Sequence, residues 1–255
     1  MKPNLRIGAL ISGGGTNLQA VIDACENQSI SGQVVFVGTD NPKAKGLERA
    51  RRHNIPSFVV DYGSLLAAYR NDPADHPLPD DFDLADIQKK CSLFPPGAET
   101  DRICKFLETR AIAEAALIAA MKPYPYDLLI LAGFMRTLSP YFIDRVNTDR
   151  TRPRIMNIHP AILPAFPGVD GYGDTFTYGC KVGGCTVHFI DYGEDTGPIV
   201  GQRAFSIQPG DTLDTIKKNG LTEEWILYPH CIELYAQGKL QVVDNGHRRV
   251  VAIAP

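Results

Sequence analysis

Arg6-Ile7-Gly8-Ala9-Leu10-Ile11-Ser12, followed by Gly13-Gly14-Gly15-Thr16-Asn17, is the stretch that decides the fold class of this chain. The first seven residues are an almost unbroken apolar run, the pattern of a strand buried on both faces. Three glycines then turn the chain, and Leu18, Val21, Ile22 and Cys25 recur at helical spacing. Strand, tight turn and helix make the first half of a βαβ unit. The residues downstream repeat the rhythm: a strand over 33–38, a turn at Thr39-Asp40-Asn41-Pro42, a helical stretch over 44–53 and a strand over 57–60. Parallel strands need crossovers, and the crossover helices cover the sheet. The expected fold is therefore α/β and Rossmann-like: a mostly parallel twisted sheet with helices on both faces.

Farther out the pattern is interrupted and then resumes. Residues 62–96 are rich in Pro and Asp, above all from Asn71 to Asp81. They read as a surface excursion with one short helix near 83–90, either a cover for a site or partner surface or a passive insertion. A long amphipathic helix follows over 99–121, with Ile103, Phe106, Leu107, Ile112, Ala115, Ala116 and Ile118 as its apolar stripe, stopped by Pro123 and Pro125. Residues 127–132 are a buried strand. Ser139-Pro140 supplies a capping oxygen and a first-turn proline to a helix ending at Val146. Strands are expected over 154–160, 185–190 and 201–207, with a Gly/Pro/aromatic loop between the first two. A helical region runs from about 210 to 237 with a break at Asn219-Gly220. Antiparallel additions close the C-terminal end, as a hairpin over 240–244 and 248–253 turned by Asn245-Gly246-His247. With no clear linker, residues 1–255 read as a single domain. Its halves are a phosphate-binding part (1–121, including the excursion at about 62–100) and a catalytic part (122–255).

Composition narrows the function classes. The 255 residues are 44% apolar and 22% charged, with a formal net charge of -3, ordinary for a globular protein and no sign of a nucleic-acid surface. No apolar run reaches the roughly 20 residues needed to span a bilayer, and the first residues lack the pattern of a signal peptide. The six cysteines show no C-x-x-C spacing. Reduced thiols in a cytoplasmic protein are expected, with no metal, no nucleic-acid partner and no membrane partner.

Three features carry candidate chemistry. Gly14, Gly15, Thr16 and Asn17 turn a strand into a helix, where unpaired N–H groups and a partial positive charge suit a phosphate. The same turn also occurs as a plain βα connection. Asn157-Ile158-His159-Pro160 lies on a strand, so alternation puts Asn157 and His159 on one face, and Pro160 keeps His159 extended. An amide beside an imidazole can stabilise an oxyanion and move a proton near neutral pH, although a strand histidine is often structural. Asp191-Tyr192-Gly193-Glu194-Asp195 is an acidic turn. There Asp195 is either an orienting carboxylate for His159 or a residue that bonds its own turn.

Together these segments resemble one known family. Ile11 to Ala20, Gly46-Leu47-Glu48-Arg49-Ala50, Leu131-Ala132-Gly133-Phe134-Met135-Arg136, Asn157 to Pro164, and Gly184 to Phe189 with Asp195 occur in the order found in folate-dependent formyltransferases. The resemblance runs along nearly the whole chain except about 62–100, and the first segment is typical of the branch acting on glycinamide ribonucleotide. It implies a formyltransferase fold and direct transfer of a formyl group from 10-formyltetrahydrofolate, as cosubstrate, to an amine in purine biosynthesis. It implies Asn157, His159 and Asp195 as catalytic residues. Gly14, Gly15, Thr16, Asn17, Pro160 and Glu224 would bind the phosphorylated acceptor. Phe134, Met135, Arg136, Leu138, Tyr192, Gly193 and Glu194 would line the folate cleft. The expected partners are these small molecules, in a monomer or homodimer. Two departures touch the acceptor end: the glycine-rich run 169–176, where relatives start a helix with His or Ala, and Leu221, often polar in relatives. They leave open a formyltransferase of the same mechanism acting on another phosphorylated amine or an amino-sugar nucleotide. A transferase acting on methionyl-tRNA fits less well, because little chain follows the core to bind RNA. A hydrolase fits less well because the catalytic pattern starts at residue 6.

Overall fold

The computed structural model describes residues 4–72, 75–149 and 151–254. Its elements in chain order are β1 (Leu5–Ile11), α1 (Thr16–Glu26), β2 (Gly32–Thr39), α2 (Gly46–Arg52), β3 (Ser57–Val59), α3 (Tyr62–Asn71), α4 (Leu84–Lys90), α5 (Thr100–Met121) and β4 (Leu128–Leu131). They continue with α6 (Pro140–Val146), β5 (Ile155–His159), α7 (Gly171–Thr177), β6 (Val182–Phe189), β7 (Ile199–Ser206), α8 (Leu213–Ala236), β8 (Leu240–Asp244) and β9 (Arg249–Ile253). Seven strands form one sheet in the order β3-β2-β1-β4-β5-β6-β7, and β8 and β9 pair separately. The sheet is parallel from β3 to β5. β6 and β7 join it antiparallel.

Strand alternation assigns each face its own core. Ile7, Ala9 and Ile11 of β1 pack with Leu18, Val21 and Ile22 of α1 and with Tyr228 and Ile232 of α8. Leu10 faces the other way, with Leu117 of α5 and Phe142 of α6. Gly8 is needed on that second face, because a Cβ there would lie 2.3 Å from the Phe36 ring. Tyr228 is wholly buried and its hydroxyl donates between the carbonyls of Leu131 and Met156, at 3.1 and 2.8 Å. That bond fastens α8 under β4 and β5, and it satisfies a polar group that burial would otherwise penalise.

Three expectations need correction. The excursion holds two helices, not one. α3 is capped by Asp61, whose carboxylate accepts from the Ser64 N–H at 3.1 Å and the Ser64 hydroxyl at 2.7 Å, and its first residue, Tyr62, is fully buried. The Pro/Asp run lies after this helix, with Pro73 and Ala74 outside the described residues. Second, the glycine-rich run 169–176 contains α7, started by Asp170 accepting from the Gly173 N–H at 3.3 Å. Third, α8 runs unbroken through Asn219-Gly220. Gly220 is there for close approach, since a Cβ on it would lie 2.1 Å from the Tyr172 ring.

Among the described residues no helix is long and apolar enough to cross a membrane. All six cysteines are free thiols.

Candidate active site

β1 connects outward to β2 and β3 on one side, whereas β4 and β5 return to its other side. The strand order therefore reverses between β1 and β4, and a crevice opens beyond their C-terminal ends, the usual ligand position in such sheets. A cavity of about 230 Å³ occupies it. The segments after β1 and β4, the end of β5 and the turn after β6 all reach its wall.

β5 pairs antiparallel with β6, Asn157 opposite His188 and His159 opposite Thr186. Directly opposed residues share a face of the sheet. The Asn157 amide nitrogen lies 3.2 Å from His188 Nε2, and His188 Nδ1 is 3.0 Å from the Phe189 carbonyl oxygen. The turn after β6 brings Asp195 back over both imidazoles. Its Oδ2 is 3.1 Å from His159 Nδ1 and its Oδ1 is 3.4 Å from His188 Nε2. The Gly168 N–H donates to Asp195 Oδ2 at 2.8 Å. Asp195 adopts a left-handed φ of 53°, a conformation uncommon outside glycine and tolerated best by Asp and Asn.

The charges follow from these contacts. Burial works against the Asp195 carboxylate, but His188, His159 and the Gly168 N–H outweigh it and hold the carboxyl below its ordinary range. Burial is also the largest influence on His159. It pulls the imidazole below its ordinary value of 6.5, against the opposing pull of Asp195 and the Phe166 carbonyl. His159 Nε2 lies 2.8 Å from that carbonyl oxygen. Both ring nitrogens thus face acceptors. A neutral ring can donate to one of them and a protonated ring to both, so the ring is poised to take up a proton.

The acceptor-side residues fall into two groups. Asn17 and Glu224 line the same cavity as the catalytic candidates, as does Pro160. Asn17 Nδ2 donates to Glu224 Oε2 at 2.5 Å, and both residues are buried. Burial pushes the Glu224 carboxyl up, with Asn17 and Tyr172 pulling the other way. Gly14, Gly15 and Thr16 lie outside that wall, at the start of α1. Gly15 is the residue before the helix, with φ 67°, and no side chain caps the helix. The first-turn N–H groups therefore depend on something other than a capping side chain. A Cβ on Gly13 or Gly14 would meet nothing within 4 Å, so those glycines answer to no packing demand of the protein itself.

The residues named for the folate cleft also divide. Phe134, Met135, Arg136, Leu138, Gly193 and Glu194 line the cavity. Phe134 and Leu138 are mostly buried, whereas Met135 is exposed. Arg136 is tied down: its Nε donates to Asp40 Oδ2 at 2.5 Å and its guanidinium lies 5.6 Å from the Tyr62 ring centre. Tyr192 does not line the cavity. Its hydroxyl donates to Asp144 and its carbonyl accepts from the Ser92 N–H at 3.1 Å, so it pins the 191–195 turn against the excursion.

Sequence reasoning assigned no role to His188, Tyr172, Gly168 or Asp40. The position of His188 directly across from Asn157 was readable only once the strand register was known. The Asp170 cap that places Tyr172 was readable in principle, as an Asp three residues before Gly173.

The comparisons with known proteins agree with one another. Residues 5–232 match the protein-family model described as formyl transferase. The phosphoribosylglycinamide formyltransferase of Escherichia coli strain K12 is 32% identical over 242 residues, covering 95% of this chain and 92% of that protein. The trifunctional purine biosynthetic protein adenosine-3 of Chironomus tentans is 30% identical over 245 residues, but the chain spans only 14% of its length. Among solved structures, glycinamide ribonucleotide transformylase 1 of Symbiobacterium toebii aligns with a TM-score of 0.72 and 35% identity, over 99% of this chain and 95% of that one.

Proposed function

The chain belongs to the formyl transferase family, and on that footing we propose that it passes a formyl group from 10-formyltetrahydrofolate to the amine of glycinamide ribonucleotide, in purine biosynthesis. Relatives named for that reaction align with almost their whole length. The observation that carries the reading is the convergence of Asn157, His159 and Asp195 on one cavity wall, with His159 and Asp195 3.1 Å apart.

In this proposal the acceptor nitrogen bonds to the formyl carbon, and the bond from that carbon to N10 of the folate then breaks. Asn157 donates its amide N–H to the oxyanion that develops on the formyl oxygen, the kind of placed donor that lowers such barriers. His159 adds positive charge beside that oxygen while it carries the proton shed by the acceptor amine. Asp195 holds the imidazole and favours its charged form, and the amine proton passes to N10 of the departing folate. For His159 Nε2 to reach the reacting oxygen, the Phe166 carbonyl has to release it. Phe166 sits at a left-handed φ of 55°, a conformation uncommon outside glycine.

The chain's residues fit the two small molecules at opposite ends. Residues 133–138 with Asp191, Gly193 and Glu194 supply a cleft for a flat ring system. The uncapped start of α1 supplies N–H groups for the acceptor phosphate, and Glu224 supplies acceptors for sugar hydroxyls. A second reading keeps the mechanism and changes the acceptor to another phosphorylated amine or an amino-sugar nucleotide. Tyr172, which occupies one oxygen of Glu224, favours testing it.

Purified protein given 10-formyltetrahydrofolate and glycinamide ribonucleotide is expected to produce tetrahydrofolate and formylated acceptor in equal amounts, followed by absorbance and mass spectrometry. Turnover only with an amino-sugar nucleotide would select the second reading. Formate release with neither acceptor consumed would defeat both.

A further inference from the structure

Tyr172 lies in α7, in the glycine-rich run 169–176. Its side chain is buried and its hydroxyl donates to Glu224 Oε1 at 2.6 Å. The other oxygen of Glu224 accepts from Asn17. The carboxylate is thus held at both ends by donors from two different elements, α7 and α1. Each oxygen keeps a lone pair that neither donor uses.

The ring reaches Glu224 only because α8 has glycine one turn earlier. A Cβ on Gly220 would lie 2.1 Å from Tyr172 Cζ and 2.2 Å from its hydroxyl oxygen. The glycine-rich run and the glycine inside α8 are therefore one feature: Gly220 opens the slot, and Tyr172 fills it. The α7 helix holds its end in place through the Asp170 cap and through the Thr175 hydroxyl, which donates to the Gly171 carbonyl at 2.7 Å.

We propose that Tyr172 is a positioning residue that sets acceptor specificity, by fixing the Glu224 carboxylate so that its remaining lone pairs meet the hydroxyls of the acceptor's sugar. This rests on the functional reading above, which places the acceptor between the start of α1 and Glu224. The groups facing Glu224 are Asn17 of α1, Tyr172 of α7, Cys185 of β6 and, on its own helix, Tyr228. Of these only Asn17 and Tyr172 donate to it among the described residues. Glu223 points elsewhere, toward Arg203.

Tyr172→Phe keeps the ring and deletes the hydroxyl, so folding is preserved and only the bond to Glu224 is lost. A hydrogen bond to a charged group contributes about 1.5–3 kcal/mol, so KM for glycinamide ribonucleotide is expected to rise about tenfold or more while kcat stays within about twofold. The loss also removes a donor that favours the carboxylate. Glu224 then protonates at higher pH, and the rise of the acceptor KM on the acid side begins earlier. Binding without turnover gives an independent readout, by isothermal titration calorimetry with glycinamide ribonucleotide alone. In the wild type this should show a single binding event. Gly220→Ala should weaken that binding as Tyr172→Phe does.

An unchanged KM and pH profile in Tyr172→Phe, with Glu224→Gln raising KM, would overturn the role of Tyr172. If Glu224→Gln also left KM unchanged in an active enzyme, the acceptor would lie elsewhere and the proposal would fall with it. Wild-type protein that neither binds nor formylates glycinamide ribonucleotide would instead overturn the functional reading beneath it.

Discussion

At the scale of single residues, the site turns on donors and acceptors that burial makes costly to misplace. Asn157→Ala and His159→Ala are each expected to lower kcat about a hundredfold or more, since a placed oxyanion donor contributes that much in other enzymes; steady-state formyl transfer checks it. His159 has a second signature. Burial holds its ring below the ordinary value of 6.5. Asp195→Asn removes the nearest influence that raises it, so the imidazole should titrate lower still, as seen by NMR of the ring C–H signals. An upward shift in that variant would mean that Asp195 does not support the charged ring. Asn157 and His159 were legible in the sequence because N-x-H-P on a strand is a local pattern, and Asp195 was named from the acidic turn 191–195 and the family resemblance. The bond from His159 Nε2 to the Phe166 carbonyl and the left-handed Asp195 were not, since both depend on how two loops close over each other.

At the scale of elements, short helices deliver the side chains that long ones do not. α7 has seven residues, two of them glycine, and little intrinsic helix preference. Its Asp170 cap therefore matters. Asp170→Ala is expected to cost about 1 kcal/mol in denaturant unfolding and, by loosening Tyr172, to raise the acceptor KM; unchanged stability would show that α7 needs no cap. α4 plays a comparable part at the end of the cavity proposed to take the folate. Lys90 Nζ pairs with Asp86 at 2.5 Å and with Asp144 at 2.8 Å, and Asp144 accepts from Tyr192. The excursion is thereby tied to the turn that carries Asp195. Lys90→Met should speed proteolytic nicking near 92–99 and raise KM for the folate more than for the acceptor. Equal nicking rates would separate the excursion from that turn. Composition exposed the excursion as an interruption but hid α3, since the Pro/Asp run that marks it begins only where α3 ends. The break expected at Gly220 failed for a related reason. A glycine inside a helical pattern reads as a stop, whereas here it answers to a ring from another element.

At the scale of the whole molecule, cores lie on both faces of one sheet, and the helix α5 on one of them carries a carboxyl that is buried out of water. Glu114 of α5 is fully buried, and burial pushes its carboxyl up to about 8 even though the Ser139 N–H and hydroxyl donate to it and Arg110 lies nearby. A carboxyl raised on folding favours the folded state fully below its unfolded value near 4.5, and that contribution is lost as pH rises toward 8. Glu114→Gln should therefore flatten the fall in unfolding free energy between those limits, measured as the difference from wild type across a pH series. Parallel curves would mean that Glu114 is charged in the folded protein. While the strand order β3-β2-β1-β4-β5-β6-β7 came from the tertiary structure, the sequence by itself determined the α/β class, the mostly parallel sheet, most strand and helix positions, the family and the identities of the catalytic candidates. Those are properties of periodicity and local motif, which neighbouring residues carry. Only the tertiary structure decided that His188 stands across from Asn157, that Tyr172 reaches Glu224 through the slot at Gly220, and that Tyr192 turns from the cleft to the excursion. Each of these joins residues far apart in the chain, and their meeting depends on sheet register and helix packing rather than on any local preference.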